Sequence, residues 1–289
     1  MQKIIEKAGI LVEALPYIRE FFGKTVVIKY GGAAMLDERL RQSTAEDIVL
    51  MKYVGMNPII VHGGGPSINV MLKDLGITPQ FNPQGLRITD EKTMNVVEMV
   101  LGGTVNKDIV ALINKAGGSA VGICGKDGPI IYAVKKYADD GTDIGQVGRI
   151  TRIETKLIQV LCEAGFIPVI APLATDEWGN VWNVNADTVA GDIASALRAE
   201  KLVFLTDTPG LLRDPSNPDT LIHQLASSEI HRLKEEKVIT GGMLPKIEAC
   251  LKALDSGVRK THIIDGRIPH SLLLEIFTRE GLGTLVYLS

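Results

Sequence analysis

Three short apolar runs, each closing on a glycine-rich or acidic turn, constrain this chain more than any other feature. They are TVVIKY at 25–30 before Gly31 and Gly32, PIIV at 58–61 before His62 and three glycines, and LVFLT at 202–206 before Asp207. Runs of Val, Ile and Leu without polar alternation read as strands buried on both faces, the signature of a parallel sheet covered by helices. Glycine after a strand lets backbone N–H groups approach a ligand, and a following helix adds its positive N-terminal end. Ligands in open α/β sheets bind beyond the carboxyl ends of the strands, so the same turns mark the candidate site.

Strands and helices alternate along most of the remaining sequence. Helical segments are expected at 45–53, 67–75, 92–115 (through Gly102 and Gly103), 154–164, 186–199, 242–254 and 272–277. Further strands are expected at 120–123, 167–171, 262–264 and 284–287. This alternation argues for an α/β fold, a three-layer αβα sandwich around a mainly parallel central sheet. Between 129 and 150, short alternating runs with Gly141, Gly145 and Gly148 read as β-hairpins on the rim of that sheet. Trp178 and Trp182 flank another hairpin, and 213–220 is a loop. At the N-terminus Ile4, Ala8, Leu11, Leu15, Ile18 and Phe22 alternate spacings of four and three, predicting a helix over 4–22. Pro16 should kink or split it, and Gly23 should end it.

With 289 residues, 45% of them hydrophobic, the chain can bury a core of one large domain or of two lobes sharing a sheet. The net charge of −3, with no basic tract, argues against nucleic acid or a membrane surface as partner. An anionic ligand must therefore be held by local positive groups. Cys124, Cys162 and Cys250 are scattered and form no C-x-x-C pair, which indicates neither a zinc site nor a redox dithiol and fits a reducing compartment. There is no signal-peptide pattern and no apolar run of transmembrane length, so a cytoplasmic location is expected.

The common phosphate fingerprints are absent: no G-x-x-x-x-G-K-[ST], no G-x-G-x-x-G opening a helix, no protein-kinase catalytic loop. Lys29 lies inside an apolar strand, where a lysine must snorkel or serve a site. Lys246, in TGGMLPKIEA, falls in the first turn of a helix, where a cation opposes the dipole unless an anion is near. Alone it reads as an ordinary surface lysine. Asp187, in NVNAD, is an acid that a helix start accepts without any function, yet beside two lysines it could hold both. His62 reads as a residue that hydrogen-bonds backbone and positions the turn rather than as a charged catalyst.

At KYGGAAM, HGGGPSI, GLRITD, NVNAD and GGMLPK the chain resembles the amino-acid kinase family, over nearly its whole length and with the motifs in the family's order. The set HGGGP, GLR and N-x-N-A-D is most similar to the branch that phosphorylates N-acetyl-L-glutamate on the way to arginine. The resemblance implies an N-terminal helical extension (1–22) and a kinase domain (23–289), with an acceptor lobe over 23–195 and an ATP lobe over 196–289. It implies ATP as co-substrate with Mg2+. Lys29 would stabilise the transferred phosphoryl group, Lys246 would act from the ATP side, and Asp187 would orient both. Gly64, Gly65, Arg87 and Asn183 would bind the acceptor. Gly31, Gly32, Asp207, Gly210, Leu211, Leu212, Val238, Ile239 and Thr240 would cradle the nucleotide. The chemistry agrees: a carboxylate acceptor is ionised at pH 7 and needs no general base. The difficulty is to bring an anion against a polyanion, so lysines, glycine N–H groups and helix ends are the expected tools. No acidic cluster stands out to hold the metal by itself, so phosphates and water would supply most of its ligands.

The extension ahead of the first strand, with Leu-Pro-Tyr at 15–17, resembles the arginine-inhibited branch, in which N-terminal helices join dimers into a hexamer. That likeness implies an effector site at Tyr17, His270, Glu280 and Gly283, with Glu280 as the guanidinium's partner. Other readings stay open. The helix could pack on its own domain. The acceptor could be aminoadipate or glutamate carried on a protein, or the chain could be a non-catalytic regulator on the same fold, against which Lys29, Asp187 and Lys246 together argue.

Overall fold

The computed structural model describes residues 1–278 and 281–289, with the side chains at 2–8, 10, 11 and 33 left aside. Its first half contains α1 (Gln2–Phe21), β1 (Thr25–Tyr30), α2 (Glu38–Tyr53), β2 (Asn57–His62), α3 (Gly65–Asp74), α4 (Glu91–Glu98), α5 (Asn106–Lys115), β3 (Ala120–Cys124), β4 (Ile131–Tyr137) and β5 (Asp143–Ile153). There follow α6 (Lys156–Glu163), β6 (Ile167–Ala171), β7 (Leu173–Thr175), β8 (Val181–Asn183), α7 (Ala186–Leu197) and β9 (Lys201–Thr206). The chain closes with β10 (Gln224–Ala226), α8 (Ile230–Glu235), α9 (Met243–Asp255), β11 (Lys260–Asp265), α10 (Ser271–Phe277) and β12 (Thr284–Tyr287).

Eight strands form one sheet in the order β10-β12-β11-β9-β1-β2-β6-β3. Every neighbouring pair is parallel except β11 with β12. From β1 the chain moves to β2 on one side, whereas β9 returns on the other and leads on to β11. The order thus reverses between β1 and β9, and the crevice beyond their carboxyl ends is where such sheets bind ligands. Alternation along β1 sets its side chains on two faces. Val26, Ile28 and Tyr30 enter the core beneath α2 and α5. Val27 enters the other core, with Val189, Ile193 and Ile247 of α7 and α9. Lys29 shares the face of Val27. Each core draws residues from both sides of position 195, so one continuous sheet underlies both.

Local chemistry explains where the elements depart from expectation. Helix α2 starts well before Ala45 because the Asp37 carboxylate accepts the N–H groups of Arg39 (2.9 Å) and Leu40 (3.0 Å). Helix α1 runs through Pro16 without splitting. The proline withholds an N–H from the Val12 carbonyl, and Val12 is exposed, so water can satisfy it. Of its apolar stripe, Ile4, Ala8 and Leu11 lie outside the described side chains, and the buried anchor is Phe21 rather than Phe22. The 92–115 segment divides into α4, a π-turn over Met99–Val105 holding both glycines, and α5. The segment between 129 and 150 is not on the rim of the main sheet: β4 and β5 close with β8 and β7 into a separate four-stranded barrel. Register shifts at Tyr132/Ala133 and Lys135/Tyr137 bend the long β4–β5 ribbon enough for this. Trp178 stands exposed at the tip of the β7–β8 hairpin. Among the described residues no helix is long and apolar enough to cross a membrane.

Candidate active site

The face that β1 gives to Lys29 is the face on which α7 and α9 pack. The N-cap of α7 is Asn185, whose side chain accepts the N–H groups of Asp187 (2.8 Å) and Thr188 (3.2 Å). This cap points the buried Asp187 carboxylate at the sheet. Its Oδ1 lies 3.1 Å from Lys29 Nζ, and its Oδ2 lies 2.8 Å from Lys246 Nζ on the first turns of α9. Lys246 also donates to the Gly242 carbonyl at 3.1 Å. Lys29 thus meets the same carboxylate as Lys246 through its other oxygen, as a close ion pair. Burial alone would raise the Asp187 carboxyl pKa; the two lysines outweigh it and hold the group below the ordinary carboxylate value.

Two cavities meet at the turn after β2. One, of about 330 Å3, is lined by Lys29, Gly31, Gly32, Gly64, Gly65 and Asp207. Gly32 has φ +68, and a Cβ there would run into the Asp207 carboxylate, so the first glycine turn can pass Asp207 only without a side chain. Helix α3 opens at Gly65 with Pro66 in its first turn and presents its N-terminus to this space. The second cavity, of about 170 Å3, shares Gly63, Gly64 and Gly65 and adds Arg87 and Asn183. Arg87 stacks on Phe81 with 4.7 Å from its guanidinium carbon to the ring centre and donates from Nη2 to the Gly65 carbonyl at 3.3 Å. Among the described residues its Nη1 is buried without a hydrogen-bond partner, a donor suited to an acceptor from a ligand. Asn183 donates to Thr89 Oγ1 at 3.2 Å, and Thr89 in turn donates to the Arg87 carbonyl at 2.8 Å.

The arrangement brings together Lys29, Lys246, Asp187, Gly31, Gly32, Gly64, Gly65, Arg87, Asn183 and Asp207. It does not bring 210–212 or 238–240 to either cavity. The side chains of Leu211 and Ile239 are buried in the core. The Leu211 N–H is taken by Thr284 Oγ1 at 2.8 Å, and Gly210 packs against Thr284. Leu212 and Val238 are half-buried, and Thr240 is exposed beside the start of α9. Among the described residues no group of three or more His, Cys, Asp or Glu gathers as a metal site. Asp207 and Asp108 both line the larger cavity, and two carboxylates are the kind of hard donors that Mg2+ takes alongside phosphates.

A third cavity, of about 250 Å3, lies between α1 and the end of the sheet, and Tyr17 and Gly283 both line it. His270 does not: its Nδ1 pairs with Asp47 Oδ1 at 2.6 Å and its N–H goes to Ser43 Oγ at 3.2 Å. Glu280 is outside the described residues. The sequence reading missed the charged residues that line this cavity. Glu275 accepts from Lys201 at 2.7 Å, from the Leu282 N–H at 2.7 Å, and faces His262 Nε2 at 2.9 Å. Burial would push the Glu275 carboxyl up, but His262 and Lys201 bring it down to about 2. Lys201 heads an apolar strand just as Lys29 lies near the end of one, and that signal was available.

A family model described as the amino acid kinase family matches residues 24–265. An acetylglutamate kinase of Heliobacterium modesticaldum is 57% identical, covering 99% of this chain and 99% of its own. One of Methanocaldococcus jannaschii is 52% identical over 99% of this chain and 98% of its own. Among solved structures, N-acetylglutamate synthase from Neisseria gonorrhoeae, complexed with coenzyme A and N-acetyl-glutamate, superposes with TM-score 0.84 at 30% identity, covering 97% of this chain and 63% of that one. Carbamate kinase from Giardia lamblia bound to AMP-PNP shares the fold, with TM-score 0.67 at 17% identity over 92% of this chain and 99% of that one.

Proposed function

The chain belongs to the amino acid kinase family, and on that premise we propose that it transfers the γ-phosphate of ATP to the γ-carboxylate of N-acetyl-L-glutamate, a step of arginine synthesis. The observation that carries this reading is the meeting of two cavities at one glycine turn, beside a carboxylate that ties two lysines. The Lys29 cavity suits the phosphates and the Arg87 cavity suits a small dicarboxylate. Arg87 Nη1 would take the α-carboxylate in a charge-assisted bond, Asn183 would hold the acetylated end, and the γ-carboxylate would then face the Gly64 and Gly65 N–H groups. Lys29 and Lys246 would flank the transferred phosphoryl group, each such donor being worth about 3–4 kcal/mol when aimed at developing charge. Mg2+, arriving with the ATP phosphates, would add positive charge on the Asp207 side. Gly31 and Gly32 would serve the phosphates by backbone contacts, whereas 210–212 and 238–240, outside both cavities, would meet the rest of the nucleotide through the half-buried Leu212 and Val238.

The test is an ADP-release assay against a panel of N-acetylglutamate, glutamate, aspartate, carbamate, UMP and a carrier-protein-bound aminoadipate. Turnover of N-acetylglutamate is expected; turnover of another member alone refutes the reading.

Regulation by arginine and assembly into a hexamer belong to the same proposal. The cavity beside α1 offers the ionised Glu275, and a relative among the solved structures, N-acetylglutamate synthase from Neisseria gonorrhoeae, was obtained complexed with coenzyme A and L-arginine. Helix α1 also leaves Val12 and Leu15 exposed, and Phe22 just beyond its end is exposed too, which favours a partner helix over packing on its own domain. Deleting residues 1–22 should leave a dimer without arginine inhibition, read by light scattering and the same assay. A hexamer that survives the deletion rules out the helix as its connector.

A further inference from the structure

The turn after β2 is held from behind by a polar chain that the proposed chemistry does not use. Asn106 is the first residue of α5, directly after the π-turn, and it is buried. Its Nδ2 donates to the Val169 carbonyl at 2.9 Å and lies 3.2 Å from His62 Nε2. Its Oδ1 accepts from Lys107 Nζ at 3.0 Å, and Lys107 also donates to the Gly122 carbonyl at 3.0 Å. These partners fix the amide's orientation, because the reverse would set Oδ1 against a carbonyl and the amide N–H groups against an ammonium. Nδ2 therefore donates to His62, and Nε2 must carry a lone pair. The proton of the neutral ring is then on Nδ1, which lies 2.7 Å from the Gly63 carbonyl and donates to it. The chain Lys107, Asn106, His62, Gly63 runs in one direction, every donor meeting an acceptor. Burial pushes His62 down to about 4, with the charges of Lys107 and Lys29 acting the same way, so the ring is neutral at pH 7. Gly122 leaves room for the amide, since a Cβ there would fall on Asn106 Oδ1.

The π-turn explains why Asn106 can reach. Its hydrogen bonds close from i to i+5, so the widened turn brings residues five apart close to one face. Leu101 and Asn106 are such a pair. Leu101 packs on Gly64, where a Cβ would collide with it, and Val105 also touches that position. The same widened turn thus backs the glycine turn with an apolar contact at Gly64 and a polar one, through His62, at Gly63.

We propose that Asn106 is a positioning residue for phosphoryl transfer, acting through the Nδ1–H tautomer of His62 to fix the Gly63 carbonyl and so aim the Gly64 and Gly65 N–H groups. This rests on the reading that the turn meets the acceptor carboxylate. The two can fail separately: wild-type turnover of N-acetylglutamate tests the activity, while the ring tautomer is read without any substrate.

The experiment has two arms. In protein labelled with 15N-histidine, the ring nitrogens of His62, assigned by a His62→Ala variant, should show the proton on Nδ1 at pH 7. A proton on Nε2, or on both nitrogens, overturns the proposal even if no variant folds. In the second arm Asn106→Asp, which cannot donate, should move the proton to Nε2 and lower kcat about 10–100-fold, with KM for ATP within twofold, as expected of a small misplacement of the reacting groups. The same substitution placed on His62→Ala should change kcat less than twofold, because its route is already gone. Equal losses in the two backgrounds, or an unchanged kcat despite a switched tautomer, overturn it.

Discussion

Asp187→Asn perturbs the candidate site with the least change of shape. The amide keeps the volume at a position that is 4% exposed, but it removes the negative charge that Lys246 meets at 2.8 Å and Lys29 at 3.1 Å. One amide oxygen can serve one lysine, and the NH2 group must then face the other ammonium. A hydrogen bond to a charged group contributes about 1.5–3 kcal/mol, so the freed lysine leaves its place. If that lysine is aimed at charge developing on the transferred phosphoryl group, its loss costs about 2.7–4 kcal/mol, or about 100–1000-fold in kcat. Binding of ATP should respond in the opposite sense. Two lysines without a counter-charge attract a polyphosphate more strongly, so KM for ATP should stay level or fall. The assay is ADP release with saturating N-acetylglutamate, run below the unfolding transition. Removing one partner of a buried pair destabilises by about 3–5 kcal/mol, so the thermal midpoint must be followed in parallel. A kcat within threefold of wild type, or a higher KM for ATP at unchanged kcat, would refute Asp187 as the tie between the lysines.

Arg87→Lys keeps the charge but loses the fork that bonds Gly65 with one arm and leaves the other free; KM for N-acetylglutamate should rise about 10–100-fold, the worth of one or two charged hydrogen bonds, with kcat little changed. An unchanged KM in steady-state kinetics would remove Arg87 from the acceptor site. Glu275 has a folded pKa of about 2 against an ordinary 4.5, so its contribution is fully present above about pH 4.5 and is lost as the pH falls through 2. That interval is worth about 3 kcal/mol, and denaturant unfolding between pH 5 and 2 should show a loss in wild type that Glu275→Gln lacks. Parallel curves for the two proteins would show that the buried cluster of Lys201, His262 and Glu275 does not stabilise the fold.

Much of the fold was legible because apolar runs flanked by glycine carry their own boundaries. The strands at Thr25–Tyr30, Ile167–Ala171 and Thr284–Tyr287 begin and end where periodicity put them. The barrel was read as hairpins on a rim because closure depends on bulges in β4 and β5, and a bulge is a pairing error that one strand alone does not display. The π-turn was hidden for a related reason. Gly102 and Gly103 announce a weak helix, but only the packing of Leu101 on Gly64 shows that the extra residue per turn has a use. Strand β10 and helix α8 are short and carry few apolar residues, and neither pattern rises above that of a loop.

The candidate site was legible where charge interrupted an apolar element, and the reason is energetic. An ammonium on a strand buried on both faces costs several kcal/mol unless an anion meets it, so Lys29 implied a partner before any was known. The partner could not be chosen from the sequence, because Asp187 is equally at home as the acid of a helix start. It is the Asn185 cap and the parity of β1 that turn the two toward each other. The same logic applied to Lys201 would have pointed to a second buried anion. It was overlooked since Glu275, 74 residues further on, sits in a helix where an acid ordinarily faces water. A lysine on a buried strand is thus a stronger signal than an acid on a helix. The strand allows it no route to solvent, whereas the helix lets an acid be surface or core by a rotation of about 100° per residue that the neighbouring apolar positions must settle.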